Sequence, residues 1–126
     1  MKVRITITRE PIVARGVTSA DASSGAAVEF AGMVRGEEDG VAIAALDYEA
    51  YEDMAQSEME RIAAELSKAY PCRSFEVTHR TGRVPVGEAS ILVRIEAKHR
   101  AEAFEMLAEF MDRLKRDVPI WKKVVA

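Results

Sequence analysis

A lysine continues an apolar helical stripe near the end of this 126-residue sequence. Phe104, Leu107, Ala108, Met111 and Lys115 recur at i, i+3, i+4, i+7 and i+11, the spacing of one helix face, and Leu114 lies beside Lys115. A lysine so placed either snorkels past the stripe to water or stands in a pocket. In a pocket it is a candidate acid, base or nucleophile, because desolvation favours the neutral amine. His99 and Arg100 open the same helix. First-turn N–H groups, the positive end of the helix dipole and two basic side chains together suit an anion. Arg100 and Lys115 are about four turns apart, roughly 22 Å along one axis. They can line opposite ends of a long ligand or meet in a site shared by two copies. Arg35 ends a strand-like run, and its planar fork suits phosphate or carboxylate. His79-Arg80 ends another run before a glycine turn and reads as structural. Cys72 is the one cysteine, with no adjacent histidine, and reads as an inert thiol. No glycine-rich phosphate loop is present.

These residues need elements to hold them. Val3, Ile5 and Ile7 alternate with polar neighbours, which predicts a half-buried strand over 2–8. Residues 18–24 are small and polar, a loop or a short helix capped by Ser19 or Asp21. Gly25–Arg35 reads as a second strand with Val28, Phe30 and Val34 on one face. Asp39-Gly40 predicts a hairpin, and Val41–Tyr51 is its return strand. The period then changes to 3.6: Ala55, Met59, Ile62, Leu66 and Tyr70 form a stripe that Pro71 stops. Arg73–Arg80 and Glu88–Ala97 are strands, and Pro85 confines any strand in the intervening segment to an edge. A second helix runs from about His99 to Asp117, ahead of Pro119. Five strands and two helices, mostly joined by hairpins, predict one α+β domain over 1–126 with a largely antiparallel sheet.

Composition narrows the function classes. The chain is 48% hydrophobic and 31% charged, which suits a folded domain. A net charge of −3 gives no electrostatic case for nucleic acid, and an aromatic content of 6% weakens an RNA-binding reading further. No apolar run is long enough to span a bilayer, so no membrane role is expected, and the N-terminus has no leader-like core. One cysteine and two histidines make a metal site unexpected. The default location is the cytoplasm. Charge is unevenly spread: Glu37–Glu65 holds ten acids and one base, whereas residues from Arg113 onward hold five bases and one acid. The basic end suits an anionic ligand or an acidic partner.

Five blocks carry a resemblance: Phe30-Ala31-Gly32-Met33-Val34-Arg35; Leu46-Asp47-Tyr48-Glu49-Ala50-Tyr51-Glu52-Asp53-Met54-Ala55; His79-Arg80-Thr81-Gly82 with Val86-Gly87-Glu88; His99-Arg100-Ala101-Glu102-Ala103-Phe104; and Leu114-Lys115 with Val118-Pro119-Ile120-Trp121-Lys122-Lys123. In this order and spacing they resemble the large, catalytic subunit of molybdopterin synthase, from about Gly25 to Lys123. The resemblance implies a sulfurtransferase of molybdenum cofactor biosynthesis. Such a subunit takes sulfur from the C-terminal thiocarboxylate of a small ubiquitin-like carrier and adds it to cyclic pyranopterin monophosphate. It forms the homodimeric core of a heterotetramer and uses no cofactor or metal at this step. It also implies roles: Lys115 and Lys122 catalytic; Met33, Val34, Arg35, His99, Arg100 and Lys123 substrate-binding together with both lysines; Phe30 and Met111 in the pocket wall. Family members continue past the Trp-Lys-Lys segment with a further tail, where this sequence reads Val124-Val125-Ala126, so any contribution of that tail is expected to be missing. The competing reading is a non-catalytic dimeric module that binds a ubiquitin-like tail.

Overall fold

A computed structural model describes every residue except Val17 and Ala20. The main sheet has four strands in the order β1-β6-β8-β2: β1 (Lys2–Thr8), β2 (Ala26–Met33), β6 (Ser74–Arg80) and β8 (Ala89–Ala97). β8 pairs antiparallel with β2 and β6, whereas β1 runs parallel to β6. The parallel pair follows from the connection, because a helix lies between the start of the chain and β6. Both helices, α1 (Glu52–Ala69) and α2 (Arg100–Asp117), pack against this sheet and each other.

Four residues of the predicted α1 stripe, Ala55, Met59, Ile62 and Leu66, are buried; the fifth, Tyr70, caps the helix and is half-buried. In α2 the buried face is instead Ala103, Met106, Phe110 and Leu114. The stripe that holds Lys115 is a second apolar face, lying beside the first around the helix. Phe104 on it is exposed, and Leu107 and Met111 are only partly buried. Phe110 meets Phe75 of β6 edge-on, ring centroids 4.7 Å apart, at the centre of the core. Val3, expected inside with Ile5 and Ile7, is exposed at the free edge strand.

Nine strands form among the described residues, where five are expected from the sequence. Asp39 and Gly40 do make a tight turn, with φ of 50° and 80°, the left-handed pair that such a turn requires, but the expected arms do not pair: β2 pairs with β8, and the turn closes only a two-residue ribbon. It joins β3 (Glu37–Glu38) to β4 (Val41–Ala42). The return strand breaks there, and β5 (Ala45–Ala50) starts a separate sheet in the order β7-β5-β9. β7 (Gly82–Pro85) occupies an edge, as Pro85 demands. β9 (Ile120–Val125), like β3 and β7, is a strand the sequence reading lacks. Strand 2 also stops at Met33, after a register shift at Gly32/Met33, so Val34 and Arg35 lie beyond it. Val34 joins Leu46 and Val84 in a small second core. Of the segment 18–24, Ala20 lies outside the described residues; the rest forms no helix, and the Asp21 carboxylate accepts a hydrogen bond from the Ser23 N–H at 2.8 Å.

Phe110 is wholly buried between both helices and the sheet. Phe110→Ala is therefore expected to cost about 3–5 kcal/mol. Chemical denaturation of the two proteins measures this, and a loss under about 1 kcal/mol would mean that the α2–sheet contact is not the main core.

Candidate active site

The main core ends where the inward face of β6 changes chemistry. Phe75, Val77 and His79 alternate onto that face, and all three are buried. Register places Gly32, Ile91 and His79 in one row across β2, β8 and β6. This row floors a cleft of about 430 Å³. Met111, Leu114 and Lys115 of α2 form one wall. Tyr48 of β5 and Ile120, Trp121 and Lys122 of β9 form the other. Glycine is needed in the floor because a Cβ at position 32 would lie 2.7 Å from Ile91 Cγ2. A second cleft, about 340 Å³, runs along the exposed stripe of α2 between Phe104, Leu107, Ala108, Asp112 and Phe30. Phe30, Met111 and Lys115 line both, so Lys115 stands where the two clefts meet.

Ion pairs sort the C-terminal cations. Arg113 pairs with Glu65 at 2.6 Å and Arg116 with Asp117 at 3.1 Å. Lys122 pairs with Glu38 at 3.1 Å and Lys123 with Glu49 at 3.7 Å. Lys115 alone of the five makes no ion pair among the described residues. The acidic stretch thus has a role: Glu38, Glu49 and Glu65 are partners of the basic end. Lys115 remains exposed beside Met111 and Phe30 in the cleft lining, and its ammonium can meet a ligand anion.

Phe30, Met33, Met111, Lys115 and Lys122 come together in the larger cleft. Arg35 is next to it: its guanidinium is 4.0 Å from Glu38, the carboxylate that also holds Lys122. Val34 is buried outside the cleft, where its backbone bonds Glu88 and Gly87. Lys123 alternates to the other face of β9 and shares Glu49 with the Trp121 indole, whose N–H donates at 3.0 Å. His99 and Arg100 are exposed at the far end of α2 and do not line the cleft within one chain. Among the described residues, no group of three or more His, Cys, Asp or Glu is placed to hold a metal ion, and no helix is long and apolar enough to cross a membrane.

Two residues enter the site that the motifs alone do not bring there. Glu38 positions Lys122 across the hairpin. His79 lies in the cleft floor, edge-on to Tyr48 with ring centroids 5.3 Å apart. The available signal was parity, since Phe75, Val77 and His79 share one face. Its Nδ1 is 2.9 Å from the Arg80 carbonyl oxygen, which can only accept, so Nδ1 carries the hydrogen. Burial pulls the imidazole below its ordinary value of 6.5, against that hydrogen bond, which raises it. Burial also pushes the Cys72 thiol up to about 11, with Glu102 adding to the shift, as expected of an inert cysteine.

A family model described as MoaE protein matches residues 7–117. A molybdopterin synthase catalytic subunit of Pyrococcus abyssi is 47% identical over 103 residues, covering 82% of this chain and 70% of that protein. The human protein of the same name is 40% identical over 101 residues, covering 80% of this chain and 54% of its own length. Among solved structures, molybdopterin synthase from Staphylococcus aureus superposes with a TM-score of 0.85 at 31% identity, over 97% of this chain and 89% of that one. The MoaE protein of Burkholderia ambifaria gives 0.81 at 28% identity, over 99% and 89%.

A buried imidazole with a lowered pKa makes stability depend on pH in a defined direction. The unfolded chain takes up a proton near 6.5, while the folded chain resists until a lower pH. Stability contributed by neutral His79 is present above 6.5, declines as pH falls toward the folded value, and stops declining below it. Wild type should lose more thermal stability than His79→Gln as pH is lowered from about 7.5 to about 5, across the ordinary value of 6.5. Equal losses would place the ring in ordinary solvent.

Proposed function

The chain belongs to the MoaE family, the molybdopterin synthase catalytic subunits, and from that premise we propose that it transfers sulfur from the C-terminal thiocarboxylate of a small ubiquitin-like subunit to cyclic pyranopterin monophosphate, building the dithiolene of molybdopterin. It is in this reading a cytoplasmic enzyme, the homodimeric core of a heterotetramer, a single catalytic domain over 1–126 that uses no cofactor. The observation that carries it is Lys115, the one C-terminal cation without an ion pair among the described residues, at the junction of two clefts. A two-substrate sulfur transfer needs that arrangement, since each anion must reach the same ammonium from its own side.

In the proposed mechanism the thiocarboxylate sulfur bonds to the pterin, water then replaces it at the acyl carbon to leave a carboxylate on the small subunit, and Lys115 polarises that carbonyl and stabilises the charge that develops on its oxygen. Lys115 lines the clefts beside Met111 and Phe30 and makes no ion pair among the described residues, so substrate need not displace a carboxylate from it. Lys122 adds positive charge from the opposite wall, steadied by Glu38. Arg35 shares that carboxylate and is exposed, within reach of a phosphate placed near Lys122. Met33 gives the substrate an apolar rim, and Val34 sets the backbone that carries Arg35. His99 and Arg100 would meet the substrate from the second protomer, which removes the 22 Å problem of one straight helix, roughly fifteen residues at 1.5 Å each. Lys123 contributes through Glu49 and the placement of Trp121.

The test is reconstitution with thiocarboxylated small subunit and cyclic pyranopterin monophosphate, followed by mass spectrometry for product with two sulfurs. Lys115→Ala is expected to lower turnover about 100- to 1,000-fold, the scale of removing one charge-stabilising donor. Its thermal stability should stay within about 0.5 kcal/mol of wild type, because the side chain is exposed. Lys122→Ala should lose less. A folded Lys115→Ala protein with wild-type turnover would sink the assignment. Wild type that binds the small subunit but makes no product would instead support the non-catalytic module.

A further inference from the structure

His79 is unused by the mechanism above, yet it is the most enclosed polar side chain of the cleft, 5% exposed. Its Nδ1–H is committed to the Arg80 carbonyl at 2.9 Å, which leaves Nε2 as a lone-pair acceptor with no protein partner among the described residues. The rest of the cleft is rich in donors. Lys115 and Lys122 can only donate, and the Ser90 hydroxyl is 3.3 Å from the Gly32 carbonyl oxygen. A ligand that matches both features is anionic at one end and offers an N–H at the other. An anion in the floor would face the His79 lone pair and be repelled. A neutral imidazole there suits a pterin ring, with ring N–H and amino donors, better than it suits the thiocarboxylate.

We propose that His79 binds the ring system of the pterin substrate, its Nε2 accepting a hydrogen bond from a ring N–H or amino group while the phosphate lies toward Lys115 and Lys122. This rests on the sulfur-transfer reading and adds to it a binding residue and an orientation: ring inward, phosphate outward. Burial supports the assignment, because it keeps the imidazole neutral and able to accept. The row Gly32-Ile91-His79 also leaves a flat floor, since no side chain rises at position 32.

Calorimetric titration of the full chain with cyclic pyranopterin monophosphate tests it, using wild type, His79→Phe and His79→Gln. Phenylalanine keeps an aromatic ring beside Tyr48 but removes the acceptor; glutamine returns an acceptor oxygen near Nε2. His79→Phe is expected to weaken substrate binding about tenfold, the worth of one neutral hydrogen bond. His79→Gln should stay within about threefold of wild type. Affinity for the small subunit should be unchanged in both. His79→Phe that binds substrate like wild type overturns the proposal, as does a loss confined to the small subunit, or His79→Gln failing as badly as phenylalanine. If His79→Phe does not fold, nitrogen-15 spectra of wild type decide: the Nε2 signal must move upfield when substrate is added, and an unmoved signal overturns the proposal. Wild type that binds no substrate at all overturns the sulfur-transfer reading itself, so the two failures are separate results.

Discussion

The site depends on how α2 packs. Ala103, Met106, Phe110 and Leu114 are driven onto the sheet because burying Phe110 and Met106 there removes the largest apolar area the helix has. That docking fixes the rotation of the helix about its own axis. Phe104, Leu107, Met111 and Lys115 must then face outward along the edge at β2, where Phe30 meets them. Lys115 becomes a wall residue of two clefts because its neighbour Leu114 is anchored in the core. A lysine on a helix with one buried face would point into solvent; on a helix with two adjoining apolar faces it rides over a groove.

Charge pairing does the rest. The basic end and the acidic middle of the chain are brought together by β5–β9 pairing and by α1–α2 contact. Glu49, Glu38 and Glu65 then neutralise Lys123, Lys122 and Arg113. These pairs are exposed or half-exposed and contribute little to stability. Their consequence is electrostatic: those three cations are matched by carboxylates, whereas Lys115, with Asp112 on the same cleft, makes no ion pair among the described residues. Glu38 also spaces Lys122 and Arg35, which would otherwise repel each other across the same rim.

The floor shows how a sheet turns from core to site within one strand. Phe75 meets Phe110 of α2 edge-on, and Val77 lies in the same buried cluster. Two residues on, the same face of β6 passes the end of that packing, and the inward residue is His79. An aliphatic side chain there would extend the core. An imidazole tied by Nδ1 to the backbone keeps one nitrogen turned to whatever enters.

The sequence by itself determined the helices, the tight turn and the family. Those signals are local: a 3.6-residue stripe ended by Pro71 or Pro119, an Asp-Gly pair with left-handed backbone, and five motif blocks in register. It also marked Lys115 as out of place, because a helix face is a property of spacing alone. β9 was not legible, since Ile120–Val125 is a strand through its pairing with β5, a partner some seventy residues away. Which of two adjoining apolar stripes on α2 is core was decided by the sheet it meets, and periodicity holds no information about that. The partners of the cations and the place of His79 were likewise tertiary decisions. Ion pairs across 48 to 84 residues, and a cross-strand row of Gly32, Ile91 and His79, exist only once the register is set.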